Sequence, residues 1–131
     1  MTRILIVDDQ PHIRKLVRGF LKNEAGWEVC GEAADGQQAV EQAETLKPQV
    51  ILLDIQLPVM NGFDAAKQIL MASPRVLILI LSIHQEAHYA QGAKDCGARG
   101  FLPKHHVAEY LVPAVAALLR GELHFPSIAA D

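Results

Sequence analysis

Three stretches of the chain consist almost entirely of aliphatic residues, and each ends abruptly on an oxygen-bearing side chain. Arg3 to Val7 runs into Asp8-Asp9, Val50 to Leu53 into Asp54, and Val76 to Leu81 into Ser82. A run with no polar alternation is expected of a strand buried on both faces, as in a parallel sheet covered by helices on each side. Between the runs the pattern lengthens to a helical period. Ile13, Leu16, Val17, Phe20 and Leu21 recur at helical spacing after Pro11, with Asp9 or Gln10 as candidate cap and Gly26 as terminator.

The alternation continues along the chain. Residues 27–34 form a second strand, Asp35-Gly36 a turn, and residues 37–46 a short amphipathic helix stopped at Lys47-Pro48. Beyond Asp54 come a loop with Pro58, a turn at Asn61-Gly62, and a third helix over residues 64–71. The run 76–82, the most apolar, is expected to be central in the sheet. A fourth helix spans residues 86–96, a fifth strand residues 99–102, and a last helix residues 107–119, where Pro113 predicts a kink or a late start. Five strand–helix pairs in strict order imply one doubly wound α/β domain with a five-stranded parallel sheet and five helices. Residues 121–131 lose this periodicity and read as a tail.

Bulk properties narrow the function. A formal net charge of -3 gives no electrostatic footprint for nucleic acid. The two cysteines, Cys30 and Cys96, lie in apolar contexts and suggest small core residues in a reducing compartment rather than a disulfide framework. No run approaches the roughly 18 apolar residues of a membrane span, and the first apolar run is too short for a signal-peptide core. The expectation is a cytoplasmic protein with no membrane partner.

In open parallel sheets ligands bind beyond the carboxyl ends of the strands, where the connections change direction. With strand order 2-1-3-4-5, strands one and three are neighbours at that point. Asp8, Asp9 and Asp54 would then crowd one crevice, and their repulsion should raise at least one pKa. A divalent cation relieves the conflict, and oxygen-only ligands point to Mg2+. Ser82 ends strand four and Lys104 follows strand five at the same edge. A phosphoryl group on Asp54 would be held there by the metal, Ser82 and Lys104, with Asp54 as the accepting nucleophile.

The segments "ILIVDDQ", "VILLDIQLPVMNGFD", "LILS" and "GARGFLPK", in this order, resemble the receiver domain of two-component response regulators over residues 3–120, placing the domain at 1–120 and a tail or linker at 121–131. The resemblance implies the flavodoxin-like fold, phosphorylation at Asp54, and Mg2+ held by Asp8, Asp9, Asp54 and the backbone carbonyl of Gln56. It makes Ser82 the switch hydroxyl, Phe101 the switch aromatic and Lys104 the phosphate-binding lysine. Gln56 and His84 match positions that tune phosphate lifetime. Ile83 is bulkier than the small residue common after the serine, and His105 replaces a proline common after the lysine. A sensor histidine kinase or a small acyl phosphate would be the donor. Charge on Asp54 would draw Ser82 and Lys104 inward and bury Phe101, altering the face of helix four, strand five and helix five, where a homodimer or output can form. "LSIHQEAHYAQGAKDCGARGFLPK" and "LLRGELHFPS" are similar to the NarL/LuxR-type class, in which DNA is reached only through an output domain that this sequence does not contain.

Simpler readings accompany each residue. Asp8-Asp9 could be a cap and turn, and Ser82 a cap for helix four. His84 and His88 have the i, i+4 spacing of a metal pair, but no Cys or acidic ligand accompanies them or His105-His106, and a zinc site is rejected. The alternative function is a phosphorylation-independent dimerisation or docking module on the same fold. A magnesium-dependent hydrolase would need an acid or base two residues after the nucleophile, where Gln56 stands. Beyond its own phosphorylation and dephosphorylation, no enzyme activity is expected.

Overall fold

The computed structural model describes residues 1–125. Five parallel strands, β1 (Thr2–Val7), β2 (Trp27–Ala33), β3 (Val50–Asp54), β4 (Leu77–Ser82) and β5 (Gly100–Pro103), lie in the order 2-1-3-4-5. The helices are α1 (Pro11–Leu21), α2 (Gly36–Leu46), α3 (Gly62–Ala72), α4 (Ala87–Asp95) and α5 (Val107–Leu119), with a 3-10 turn at Lys104–His106. β3 is buried along its whole length and takes the middle place. β4, the most apolar run, is interior but one place off centre.

The aliphatic runs divide their side chains between two cores. Ile4, Ile6, Val50, Leu52, Leu79 and Leu81 pack with Val17 and Leu21 of α1 and with Leu111 and Val115 of α5. Leu5, Val7, Ile51, Leu53, Ile78 and Ile80 face the other way, toward Ala39 and Ala43 of α2, Ala66 and Ile69 of α3 and Ala93 of α4. Alternate residues of one strand thus serve opposite helical layers, which is why the runs carry no polar positions.

Several local features differ from sequence expectation. α1 ends at Leu21, and Gly26, at φ 84, instead serves the turn into β2. Asn61 is the N-cap of α3, accepting from the Asp64 N–H at 3.0 Å, so the helix begins at Gly62 rather than after a free turn. α5 runs through Pro113 without interruption. β5 is at the end of the strand order yet fully buried. The start of the expected tail explains this: the His124 N–H donates to the Arg99 carbonyl at 3.0 Å, and the Phe101 N–H donates to the His124 carbonyl at 2.8 Å. His124 thereby pairs with Gly100 in parallel, covering the edge. Residues 126–131 of that tail lie outside the described residues.

The loop between β3 and α3 carries backbone strain. Val59 has φ 70, and the Met60 N–H donates back to the Pro58 carbonyl at 2.7 Å, closing a three-residue turn around it. A β-branched residue is unfavourable there. Its side chain is largely exposed, so little packing offsets the cost. Val59→Gly should therefore stabilise the domain by about 1 kcal/mol, read as a rise in the urea midpoint at unchanged slope.

Candidate functional site

Strand register builds the site. Val7 pairs with Leu53, so the next residues, Asp8 and Asp54, emerge side by side at the carboxyl edge. Ser82 pairs with Pro103, which brings Lys104 to the same edge. Asp8 and Asp54 are buried and Asp9 is exposed, yet one carboxylate oxygen from each lies within 4.8 Å of those of the other two. Among the described residues this is the one cluster of three or more acidic, histidine or cysteine ligands.

Lys104 knits two of the three together. Its Nζ lies 2.7 Å from Asp8 Oδ2 and 3.1 Å from Asp54 Oδ2. Asp54 Oδ1 accepts the Ile55 N–H at 2.8 Å, and Asp8 Oδ1 accepts the Gln10 N–H at 2.9 Å. Asp8 therefore does make the turn into α1, but the helix cap itself, Gln10, makes no side-chain bond. Burial, reinforced by the charge of Asp8, pushes the Asp54 carboxyl above its ordinary range, against the pull of Lys104. Burial would lower the Lys104 ammonium, but hydrogen bonding to Asp8 and the charges of both carboxylates outweigh it and raise it.

A cavity of about 200 Å3 opens above these groups, lined by Asp9, Gln10, Asp54, Gln56, Ile83 and Lys104. A larger one, about 540 Å3, lies at the opposite end of the sheet among Lys47, Pro48, Arg75 and Leu119, with no carboxylate in its walls. At the mouth of the smaller cavity Ile83 is 64% exposed. Gln56 Nε2 and His84 Nε2 are 3.0 Å apart, so the two residues matched to lifetime-tuning positions touch one another. The rings of His84 and His88 both pack against Tyr89, at 4.4 and 4.2 Å between centroids.

Ser82 is buried, and its Oγ accepts the His84 N–H at 2.9 Å. It does not cap α4, whose N-cap is Glu86. Phe101 is already fully buried within the core facing α2, α3 and α4, so the expected inward movement of this ring has no outward starting point in this structure. What sequence reasoning missed is the support beneath the acids. Arg14 and Glu32, joined at 2.8 Å, gave no signal because residues 18 apart in two different elements meet only once β2 lies beside β1.

Replacing Lys104 with methionine keeps the apolar stem and removes the cation between two buried carboxylates. A loss of about 3 kcal/mol is expected near neutral pH. The raised Lys104 pKa means that its contribution is fully present below the ordinary value of 10.5 and is lost as pH rises through the elevated one. Urea titrations of both proteins at pH 7 and at increasingly alkaline pH check this: the gap should narrow as Lys104 loses its proton.

An acid cluster, a lysine and a hydroxyl meet at the carboxyl edge of a 2-1-3-4-5 sheet, where the connections change direction. Residues 4–116 match the response regulator receiver domain family, to which the chain belongs. An uncharacterized transcriptional regulatory protein, YxjL of Bacillus subtilis, is 37% identical over 128 residues, which are 98% of this chain and 59% of that protein. The structure of a LuxR-family two-component response regulator from an Aurantimonas species superposes with a TM-score of 0.93 at 32% identity, covering 100% of this chain and 95% of that one. The receiver domain of the putative response regulator NarL from Mycobacterium tuberculosis superposes at 0.85 with 32% identity, covering 92% and 98%. The chain spans roughly a quarter to three fifths of the curated relatives it matches, 27% and 59% in two cases. None of the described helices is long and apolar enough to cross a membrane.

Proposed function

We propose that this receiver accepts a phosphoryl group on Asp54 and passes the change in charge to an output. The observation that carries the reading is the buried Asp54 carboxylate, open to a small polar cavity and held by Lys104 beside two further acids. A carboxylate oxygen of Asp54 attacks the phosphorus of acetyl phosphate or of a kinase phosphohistidine. The bond from phosphorus to the acetate oxygen or imidazole nitrogen breaks, and the leaving group keeps the electron pair. The Ser82 oxygen is occupied by the His84 N–H, so its own proton is free to donate to a phosphoryl oxygen. Lys104 supplies the second fixed positive partner.

The residues fit a hard divalent cation. All donors are oxygens, and buried Asp8 Oδ2 has the Lys104 ammonium as its one partner among the described residues. Asp8, Asp9, Asp54 and the Gln56 carbonyl would hold Mg2+, which supplies charge neutralisation for the incoming phosphoryl oxygens. A sensor histidine kinase in the cytoplasm is the proposed donor. The face made by α4, β5 and α5 would carry a homodimer or an output. Control of transcription would then run through residues beyond the receiver at 1–120, with 121–131 as the connection. Catalysis is limited to the domain's own phosphorylation and dephosphorylation.

Intact mass after incubation with acetyl phosphate, with and without Mg2+, tests the reading. One metal-dependent phosphoryl adduct is expected. Absence of an adduct, even with a cognate kinase, would favour the phosphorylation-independent docking module. The exposed Ile83 side chain at the cavity mouth is the observation on that side.

A further inference from the structure

Asp8 and Asp9 sit on a turn whose local side-chain support is the Asp8 Oδ1 bond to the Gln10 N–H. The α1 N-cap makes no side-chain bond, and the first turn of the helix has no acidic residue. Further support comes from β2. Glu32 pairs in register with Ile6, which fixes its backbone beside β1. Its Oε1 accepts the Arg14 Nε–H at 2.8 Å, and the same guanidinium donates through Nη1 to the Asp8 main-chain carbonyl at 2.7 Å. Oε2 of Glu32 is held separately by Arg18, whose Nε donates at 2.9 Å. Burial alone would raise the Glu32 carboxyl, but its bonds to Arg18 and Arg14 hold it below its ordinary range. A planar fork bound at both ends tolerates little displacement.

We propose that Arg14 is a positioning residue for the phospho-acceptor site, bracing the Asp8 main chain against Glu32 so that the acidic pair stays in register with Asp54. This rests on the reading of the acids as a Mg2+ site. Arg14 touches neither metal nor phosphoryl group; it acts through the carbonyl of the residue that does. Groups that orient metal ligands in this way typically contribute about tenfold or more to affinity.

Arg18 is the internal control. It binds the same carboxylate and carries the same charge, but has no bond to Asp8. Removing a cation near an acidic site should by itself tighten Mg2+ binding through lost repulsion. A weakening must therefore come from displaced ligands. The experiment measures the Mg2+ dissociation constant of wild type, Arg14→Met and Arg18→Met by calorimetry on the full chain, with the thermal midpoint of each. Arg14→Met should bind Mg2+ about tenfold more weakly, while Arg18→Met binds as tightly as wild type or tighter. The rate of labelling by acetyl phosphate in Arg14→Met should return toward wild type at saturating Mg2+, since the reacting groups are all present. Equal affinities in the two variants would overturn the proposal, as would weakening in both that follows their thermal midpoints. Should Arg14→Met not fold, Arg14→Lys serves, since a single ammonium cannot reproduce the fork, and wild-type affinity there would equally overturn it. A wild-type protein that binds no Mg2+ would refute the metal reading as well, a result distinct from the pattern in which only the bracing fails.

Discussion

Asp54→Asn is expected to abolish the phosphoryl adduct while leaving the domain at least as stable as wild type at neutral pH without Mg2+. The first half follows from chemistry: the amide is no nucleophile toward phosphorus, and Asp8 and Asp9 lie off the tip of β3. The second follows from the cost of the native carboxylate. Burial raises the Asp54 pKa above its ordinary value of 3.8, so the folded state binds its proton more tightly than the unfolded chain does. Stability must then fall as pH rises from that ordinary value through the elevated one. Asparagine has no such loss, and the variant should gain on wild type across that window. Mg2+ should reverse the order, stabilising wild type by mass action and the variant much less. Intact mass and thermal midpoints from pH 3 to 8, with and without Mg2+, check both halves. A persistent adduct on another residue would remove Asp54 from the site.

Gly62→Ala should destabilise the domain by about 3 kcal/mol and impair labelling at the same time. A β-carbon at Gly62 would lie 2.0 Å from the Asp54 carbonyl oxygen and 2.9 Å from Ile55 Cα. Both are backbone atoms and cannot turn aside as a side chain could. The Gly62 N–H also donates to the Ile55 carbonyl at 2.7 Å, binding the start of α3 against the end of β3. Any relief of the clash has to move the backbone that presents the Asp54 carboxylate. Urea unfolding and the labelling rate at saturating Mg2+ separate the two effects. A variant of wild-type stability would show that α3 can shift away without disturbing β3. Gly36, whose β-carbon would meet the Met60 carbonyl at 1.9 Å, closes the same loop from the α2 side.

These two residues show how unevenly the site was legible. Asp54 announces itself, because a carboxylate terminating four buried aliphatic residues needs a partner. Gly62 reads as one half of an Asn-Gly turn, and only the structure shows that the turn is the first step of a helix packed onto β3. Ser82 and Lys104 were placed correctly at the carboxyl edge, since the strand each follows has a fixed direction in a parallel sheet. Phe101 was found at the expected position in β5, but sequence could not show that its ring is already inside. The aromatic is equally compatible with a surface or an interior rotamer until its neighbours are known.

The sequence by itself determined the alternation of strands and helices, the sheet class and the residues gathered at its carboxyl edge. Those follow from periodicity and chain direction, which are local properties. Only the tertiary structure decided that Lys104 is shared between Asp8 and Asp54, that Gln56 touches His84, and that His124 covers the open edge of β5. It alone decided that Arg14 reaches the Asp8 carbonyl while leaning on Glu32. Each of these joins residues far apart in sequence over a few ångströms. Hydrogen bonds and ion pairs depend steeply on such distances, and hydrophobic patterning constrains them only to the nearest strand or turn.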